Sequence, residues 1–146
     1  VVYIHNKVVS LSKNINVENN FAWCAVNETK KIIGFSLLKV EGKTGFFELT
    51  VVDELYRRKG VGTSLFNERI KKSQLLGLKK IILNHWLKNN SQEPSYALKL
   101  GFSLSAVKNN YWSTQSLIFG YNCIECEKLP CVCKCHVYEM TLGGYC

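Results

Sequence analysis

Apolar and polar positions along the chain follow two different periods. Stretches rich in β-branched and aromatic residues predict strands at 1–4, 21–27, 31–40 and 46–52. Asn27-Glu28-Thr29-Lys30 supplies the turn between the second and third, and Gly42-Lys43-Thr44-Gly45 the turn into the fourth, which makes a meander. The period then lengthens. Val61, Leu65, Phe66, Ile70 and Leu76 recur at three-to-four spacing and predict a helix over 60–76, with Gly77 where a C-terminal cap belongs. Residues 80–87, apolar through Ile81-Ile82-Leu83, predict a buried strand. A short helix at 93–100 is stopped by Gly101, a strand follows at 102–107 with Tyr111-Trp112 beyond it, and 136–142 is the last strand. Strands and helices in this order predict an α/β fold with a mixed sheet. Neither a repeat nor a proline-rich linker divides the 146 residues, so 1–146 reads as one domain, long enough to bury a core.

Composition narrows the class. With 47% hydrophobic and 21% charged residues the chain has the balance of a folded soluble protein. No run approaches the roughly 20 apolar residues of a membrane span. Val1-Val2-Tyr3-Ile4-His5-Asn6-Lys7 lacks the order of a secretion signal, so the cytoplasm is the expected setting. The formal net charge of +8 draws anions, among which nucleic acid, acidic protein and a polyphosphate cofactor all qualify. Most of the Lys and Arg pairs are spread out and read as solvated faces.

The informative stretch runs from Val51-Val52-Asp53 through Arg57-Arg58-Lys59-Gly60-Val61-Gly62-Thr63. A strand ends, and a basic, glycine-bearing turn opens directly into a helix. Backbone N–H groups at such a junction have no partner within the helix. The helix dipole adds positive potential there. The two glycines let an anion approach the backbone, so the segment forms a pyrophosphate cradle. A P-loop needs four residues between its glycines followed by Gly-Lys-Ser/Thr, and this loop has neither. Leu65 stands where a Rossmann fingerprint places its third glycine.

Arg57-Arg58-Lys59-Gly60-Val61-Gly62 resembles the Arg/Gln-x-x-Gly-x-Gly/Ala motif of the GNAT superfamily of acyl-CoA-dependent N-acetyltransferases. Leu49 through Arg57 is similar to that family's strand-and-turn lead-in. Asn90 followed by Lys99-Leu100-Gly101-Phe102, and the last strand from His136 to Leu142, are similar to its later signatures. The resemblance spans about residues 21–142. It implies a mostly antiparallel twisted sheet of about six to seven strands flanked by helices. It further implies acetyl-CoA as cosubstrate, with Val51 and Val52 pairing with the pantetheine arm. Arg57, Arg58, Lys59, Gly60, Val61, Gly62 and Thr63 would hold the pyrophosphate and Asn90 would contact the cofactor. An amine acceptor would attack the thioester directly.

That attack requires a base. Glu48 lies four residues before Val52, and even spacing places both on one face of the strand. His85, at a strand end, titrates near neutrality and is the second candidate. For the departing thiolate the family often supplies a tyrosine four residues before the glycine of Gly101-Phe102; here Ala97 holds that position and the tyrosine is Tyr96. One residue of helix turns a side chain by about 100°, so Tyr111, read as coming from another strand, is the alternative acid. The family usually has two helices between its first strands. Only residues 5–20, rich in Asn, Lys and Ser, lie there, so the acceptor groove is expected to be open or completed by a second subunit.

Seven cysteines are unevenly placed. Cys24, alone in an apolar stretch, reads as a small buried hydrophobe. Cys123, Cys126, Cys131, Cys133, Cys135 and His136 crowd a 113–135 insertion and its edge. Without a secretion signal this favours a zinc knuckle over disulfides. Cys123, Cys126, Cys131 and Cys133 form one tetrahedral set, with Cys135 or His136 as replacements for either of the last two. The contrasting reading is a non-catalytic module of the same fold whose knuckle, basic charge and aromatics such as Tyr111, Trp112, Phe119 and Tyr121 bind nucleic acid or protein.

Overall fold

The structure, a computed structural model, describes residues 3–6, 19–87, 95–119, 126 and 130–143. In chain order its elements are β1 (Tyr3–Asn6), β2 (Asn20–Val26), β3 (Ile32–Glu41), β4 (Thr44–Val52), a 3-10 turn (Glu54–Tyr56), α1 (Val61–Leu75), β5 (Lys80–Leu87), α2 (Ser95–Lys99), β6 (Ser103–Lys108), α3 (Tyr111–Phe119) and β7 (Lys134–Thr141). The strands are ordered β1-β2-β3-β4-β5-β7-β6 in a seven-stranded sheet. The pairs β1–β2, β2–β3, β3–β4 and β6–β7 are antiparallel. The fold is therefore the mixed α/β arrangement that the pattern predicts. Among the described residues no helix is long and apolar enough to cross a membrane.

Two compact units emerge, Val1–Ile81 with Thr141–Cys146, and Ile82–Met140. In the first, α1 packs on the β2–β4 meander. It buries Val61, Leu65, Phe66, Arg69 and Ser73. Of the expected stripe, Ile70 is only half-buried and Leu76 is an exposed cap residue. Trp23, Ala25, Leu38 and Phe47 fill the sheet side of this core, while Ala22 and Ile33 are buried on the opposite face of the strands, and Cys24, expected to be buried, is half-exposed.

The start of α1 sits close to the sheet because β3 offers it bare backbone. A Cβ on Gly34 would lie 3.1 Å from Val61 Cγ1, 3.2 Å from Leu65 Cδ1 and 3.3 Å from the Val51 carbonyl oxygen. Gly34→Ala is expected to push the first turn of α1 outward and cost about 1–3 kcal/mol, the usual range for overpacking. A thermal melt checks this, with a drop of about 2–4 °C per kcal/mol for a chain of this size.

In the second unit, α2 ends at Gly101 with φ 103°, and Phe102 N–H returns to the Ala97 carbonyl at 3.0 Å. The β6–β7 connection contains α3, a helix absent from the sequence-based expectation, which had Tyr111 on a strand. The physical reason is that Tyr111–Phe119 carries aromatic and hydroxyl residues without a helical stripe, so tertiary contacts decide its state. Two of those contacts come from one helix face: Ser113 Oγ donates to the Cys131 carbonyl and Ser116 Oγ accepts from Cys131 N–H.

Candidate functional site

At the end of β4 the chain leaves the sheet in a fixed way. Asp53 N–H donates to the Ile33 carbonyl at 2.8 Å, and the Asp53 carboxylate accepts from Leu55 N–H at 3.0 Å, capping the 3-10 turn. Tyr56 Oη accepts from Asn27 Nδ2 at 3.0 Å, while Asn27 Oδ1 accepts from the N–H groups of Thr29 and Lys31, each at 3.0 Å. One asparagine thus shapes the β2–β3 turn and ties the loop to it. Sequence reading missed Asn27 and Tyr56; Asn27 carries the signal of a turn residue whose amide caps its own backbone.

The loop then reverses through two left-handed residues, Arg58 at φ 60° and Gly60 at φ 85°. Arg57 Nε donates to the Val52 carbonyl at 3.1 Å. The first bond of α1 runs from Ser64 N–H to the Gly60 carbonyl at 3.0 Å. The amides of Val61, Gly62 and Thr63 therefore lie ahead of the helical ladder. Gly60 has no side chain to cap them, and no acid occupies the first turn. Arg57, Arg58, Lys59 and Gly60 are all exposed. A Cβ on Gly60 would meet nothing within 4 Å, and one on Gly62 only Val52 Cγ2 at 3.8 Å, so the approach to these amides is open. Oriented amides, helix dipole and three cationic side chains give this end of the helix a positive potential.

Glu48 sits at a break in the strand. The β3–β4 register passes from Leu38↔Phe47 to Leu37↔Leu49, which leaves Glu48 as the extra residue of a β-bulge. Phe47 meets Phe66 of α1 edge-on with centroids 5.3 Å apart, and Thr50 Oγ1 accepts from Arg69 Nη2 of α1 at 2.6 Å. Two residues three apart thus face the same helix, so the alternation slips at Glu48. The even-spacing argument that put Glu48 and Val52 on one face does not carry across this bulge. Glu48 is exposed by surface area, yet the protein on its sheet side raises its carboxyl pKa by desolvation; Lys39 pulls it back and Glu41 adds to the rise.

Arg69 braces the bulge from beneath. It is fully buried, and its Nη1 donates to the carbonyl of Leu37, the residue at the register shift, at 3.2 Å. Its guanidinium carbon lies 4.0 Å from the Phe47 ring centroid and 4.5 Å from that of Phe66. Arg69 is not among the residues that the sequence pattern singles out. The available signal was its place in the series Val61, Leu65, Arg69, Ser73, one residue per turn on the buried face.

The remaining acid–base candidates belong to the second unit. His85 is half-buried with its ring 6.3 Å from that of Tyr138. Burial, and then His136, lower its pKa, which keeps it neutral and able to accept a proton. Asn84 Oδ1 and His136 Nδ1 are buried with no hydrogen-bond partner among the described residues. Tyr111 is the first residue of α3, edge-on to Trp112 at 4.8 Å and with Lys108 Nζ 5.4 Å from its ring centroid. Of Tyr96 only the backbone, in α2, is described, and Asn90 lies outside the described residues.

The cysteines divide. The sulfurs of Cys126, Cys131 and Cys133 all lie within 4.8 Å of one another. Cys135 and His136, on β7, stand outside that group, and burial pushes the Cys135 thiol up to about 11 against the pull of Lys108. Cys123 lies outside the described residues.

Comparison with known proteins follows the same lines. The family model described as Acetyltransferase (GNAT) family matches residues 5–102. No curated protein sequence gives a match. An IAA acetyltransferase from Bacillus cereus aligns at 18% identity over 97% of this chain and 100% of its own, with TM-score 0.73. A Bacillus subtilis acetyltransferase solved with CoA gives 18% identity, 97% and 99% coverage and TM-score 0.73. An acetyltransferase from Elizabethkingia anophelis solved with acetyl-CoA bound gives 18%, 97% and 98%, and TM-score 0.69.

Proposed function

The chain belongs to the acetyltransferase (GNAT) family, and on that premise we propose that it is an N-acetyltransferase moving an acetyl group from acetyl-CoA to a primary amine within a ternary complex. The observation that carries this reading is the uncapped junction at Gly60, where three amides precede the first bond of α1. Val61, Gly62 and Thr63 donate to the diphosphate, and Arg57, Arg58 and Lys59 screen its charge. The backbone of Val51 and Val52 pairs with the pantetheine arm; an arm that takes the Val52 carbonyl displaces Arg57 Nε from it. Asn90 adds a contact from the sequence resemblance alone.

Acetyl-CoA supplies the thioester, whose C–S bond breaks as the acceptor's N–C bond forms. Glu48, set out from the sheet by its bulge, takes the proton that the amine loses, directly or through water. His85 is the second base. Tyr111 or Tyr96 returns a proton to the departing sulfur. An acceptor groove completed by a second copy of the chain remains part of the reading, and light scattering tests it: a monomer with a fully walled pocket contradicts it. The Cys-rich segment is read as structural, because four Cys ligands would close a metal's coordination sphere and leave no open position.

Two measurements test the reading. Acetyl-CoA at micromolar levels is expected to raise the melting temperature; salt-sensitive nucleic-acid binding with no response to the cofactor would favour the non-catalytic module instead. Glu48→Gln is expected to lower kcat by about 10²–10⁴-fold, the range for a general base, with the KM for acetyl-CoA nearly unchanged. The base acts when deprotonated, so the wild-type rate falls as pH drops through the raised Glu48 pKa, above the ordinary glutamate value. Glu48→Gln removes that acid limb; a limb that survives in Glu48→Gln and disappears in His85→Gln moves the role to His85.

A further inference from the structure

We infer that Cys126, Cys131 and Cys133 are three thiolate ligands of one structural zinc ion that ties Cys126 to the residues leading into β7. The inference stands independently of acetyl transfer. Its first support is a length. Zinc–sulfur bonds of about 2.3 Å in a tetrahedron place neighbouring sulfurs about 3.8 Å apart. Cys126 Sγ lies 3.9 Å from Cys131 Sγ and 3.6 Å from Cys133 Sγ. A disulfide needs about 2.05 Å, so these sulfurs are spaced as edges of a coordination tetrahedron.

The surroundings hold the thiolates in place. Val132 N–H donates to Cys126 Sγ at 3.5 Å, a bond that favours the ionised sulfur. Cys131 is gripped on both sides of its peptide by α3, through Ser113 Oγ to its carbonyl and through its own N–H to Ser116 Oγ at 3.1 Å. Trp112 packs against Cys131 and Cys133 and donates from Nε1 to the Lys134 carbonyl at 3.2 Å. Ligands whose backbone is fixed by outer contacts are the usual pattern of a built metal site. Cys131 is 0% and Cys133 7% exposed, which suits a closed site.

The chemistry selects the metal. Soft thiolates in tetrahedral disposition favour zinc over calcium or magnesium, which take oxygen ligands. At each thiol the S–H bond gives way to an S–Zn bond, the proton goes to solvent, and no oxidation state changes. Cys135 and His136 are excluded from the set by position, since their ligand atoms fall outside the sulfur cluster. The sequence offers Cys123, three residues before Cys126 in Cys-x-x-Cys spacing, for the fourth position.

Metal analysis of the protein purified without chelator is expected to give about one equivalent of zinc. Cys131→Ser and Cys133→Ser are each expected to retain less than half of it, and Cys135→Ser to retain it fully. Because a ligand variant can fail to fold, the wild-type chain is also stripped with a chelator and titrated with zinc alone. One equivalent is expected to restore the near-ultraviolet dichroism around Trp112 and to raise the melting temperature. Three results overturn the inference: wild-type protein whose melting is the same with and without zinc, a disulfide among the three cysteines by mass spectrometry without reductant, or Cys135→Ser losing the metal while Cys133→Ser keeps it.

Discussion

Gly60→Glu is expected to weaken acetyl-CoA binding by 100-fold or more while leaving the melting temperature of the free protein close to wild type. Two effects add. Gly60 holds φ 85°; a residue with a Cβ relaxes out of left-handed backbone in the free loop, so restoring that geometry on binding costs about 1–2 kcal/mol. A carboxylate at that point sits beside the amides of Val61, Gly62 and Thr63, competes for them and repels a diphosphate. The two together reach the roughly 2.7 kcal/mol that a 100-fold change in Kd requires. A Cβ there meets nothing within 4 Å, so the substitution does not crowd the core and folding survives. Gly60→Ala isolates the backbone part and is expected to cost about tenfold, or 1.4 kcal/mol. Calorimetric titration with acetyl-CoA reads both. A Gly60→Glu protein that binds the cofactor as wild type does would separate the loop from the cofactor.

Arg69→Ala is expected to lower stability by about 3 kcal/mol, since hydrogen bonds to a buried charge and a desolvated cation–π contact each contribute about 2 kcal/mol and partly overlap. For a chain of this length that is a fall of about 10 °C in melting temperature. The same change should reach the chemistry, because the guanidinium holds the Leu37 carbonyl and the Thr50 hydroxyl next to the bulge at Glu48. Arg69 is a positioning residue on this account, so kcat is expected to fall further than the affinity for acetyl-CoA, for which the proposed loop begins after Val52. Arg69→Met, which refills the volume without the hydrogen bonds, should recover part of the stability and none of the rate. A variant within about 1 kcal/mol of wild type, inside the range of ordinary surface substitutions, would remove Arg69 from the argument.

Much of this was legible from residue order. The meander, α1 and the basic turn into it follow from period and from glycine placement, because those elements bury their faces against near neighbours in sequence. The uncapped junction at Gly60 was readable for the same reason: a left-handed turn into a helix start is local backbone geometry. Three features were not readable. The bulge at Glu48 is a register event between two strands, and nothing in the sequence of β4 alone displays it. Arg69 obeys the helical period but carries the wrong polarity for it, and its burial is balanced only by carbonyl, hydroxyl and ring faces supplied by distant residues. Helix α3 lacks a stripe of its own and depends on Ser113, Ser116 and Trp112 meeting the chain just before β7. The cysteine spacing announced a sulfur cluster without saying which sulfurs converge.

The proposal centres on the bare amides at the head of α1, and backbone amide spectra recorded while coenzyme A is titrated in reach them one by one. The N–H resonances of Val61, Gly62 and Thr63 are expected to shift first and furthest, with those of Arg58 to Gly60 following and those of β6 and β7 unmoved by the diphosphate. Saturating coenzyme A that leaves the three amides unchanged, or moves only resonances elsewhere in the chain, would contradict the account.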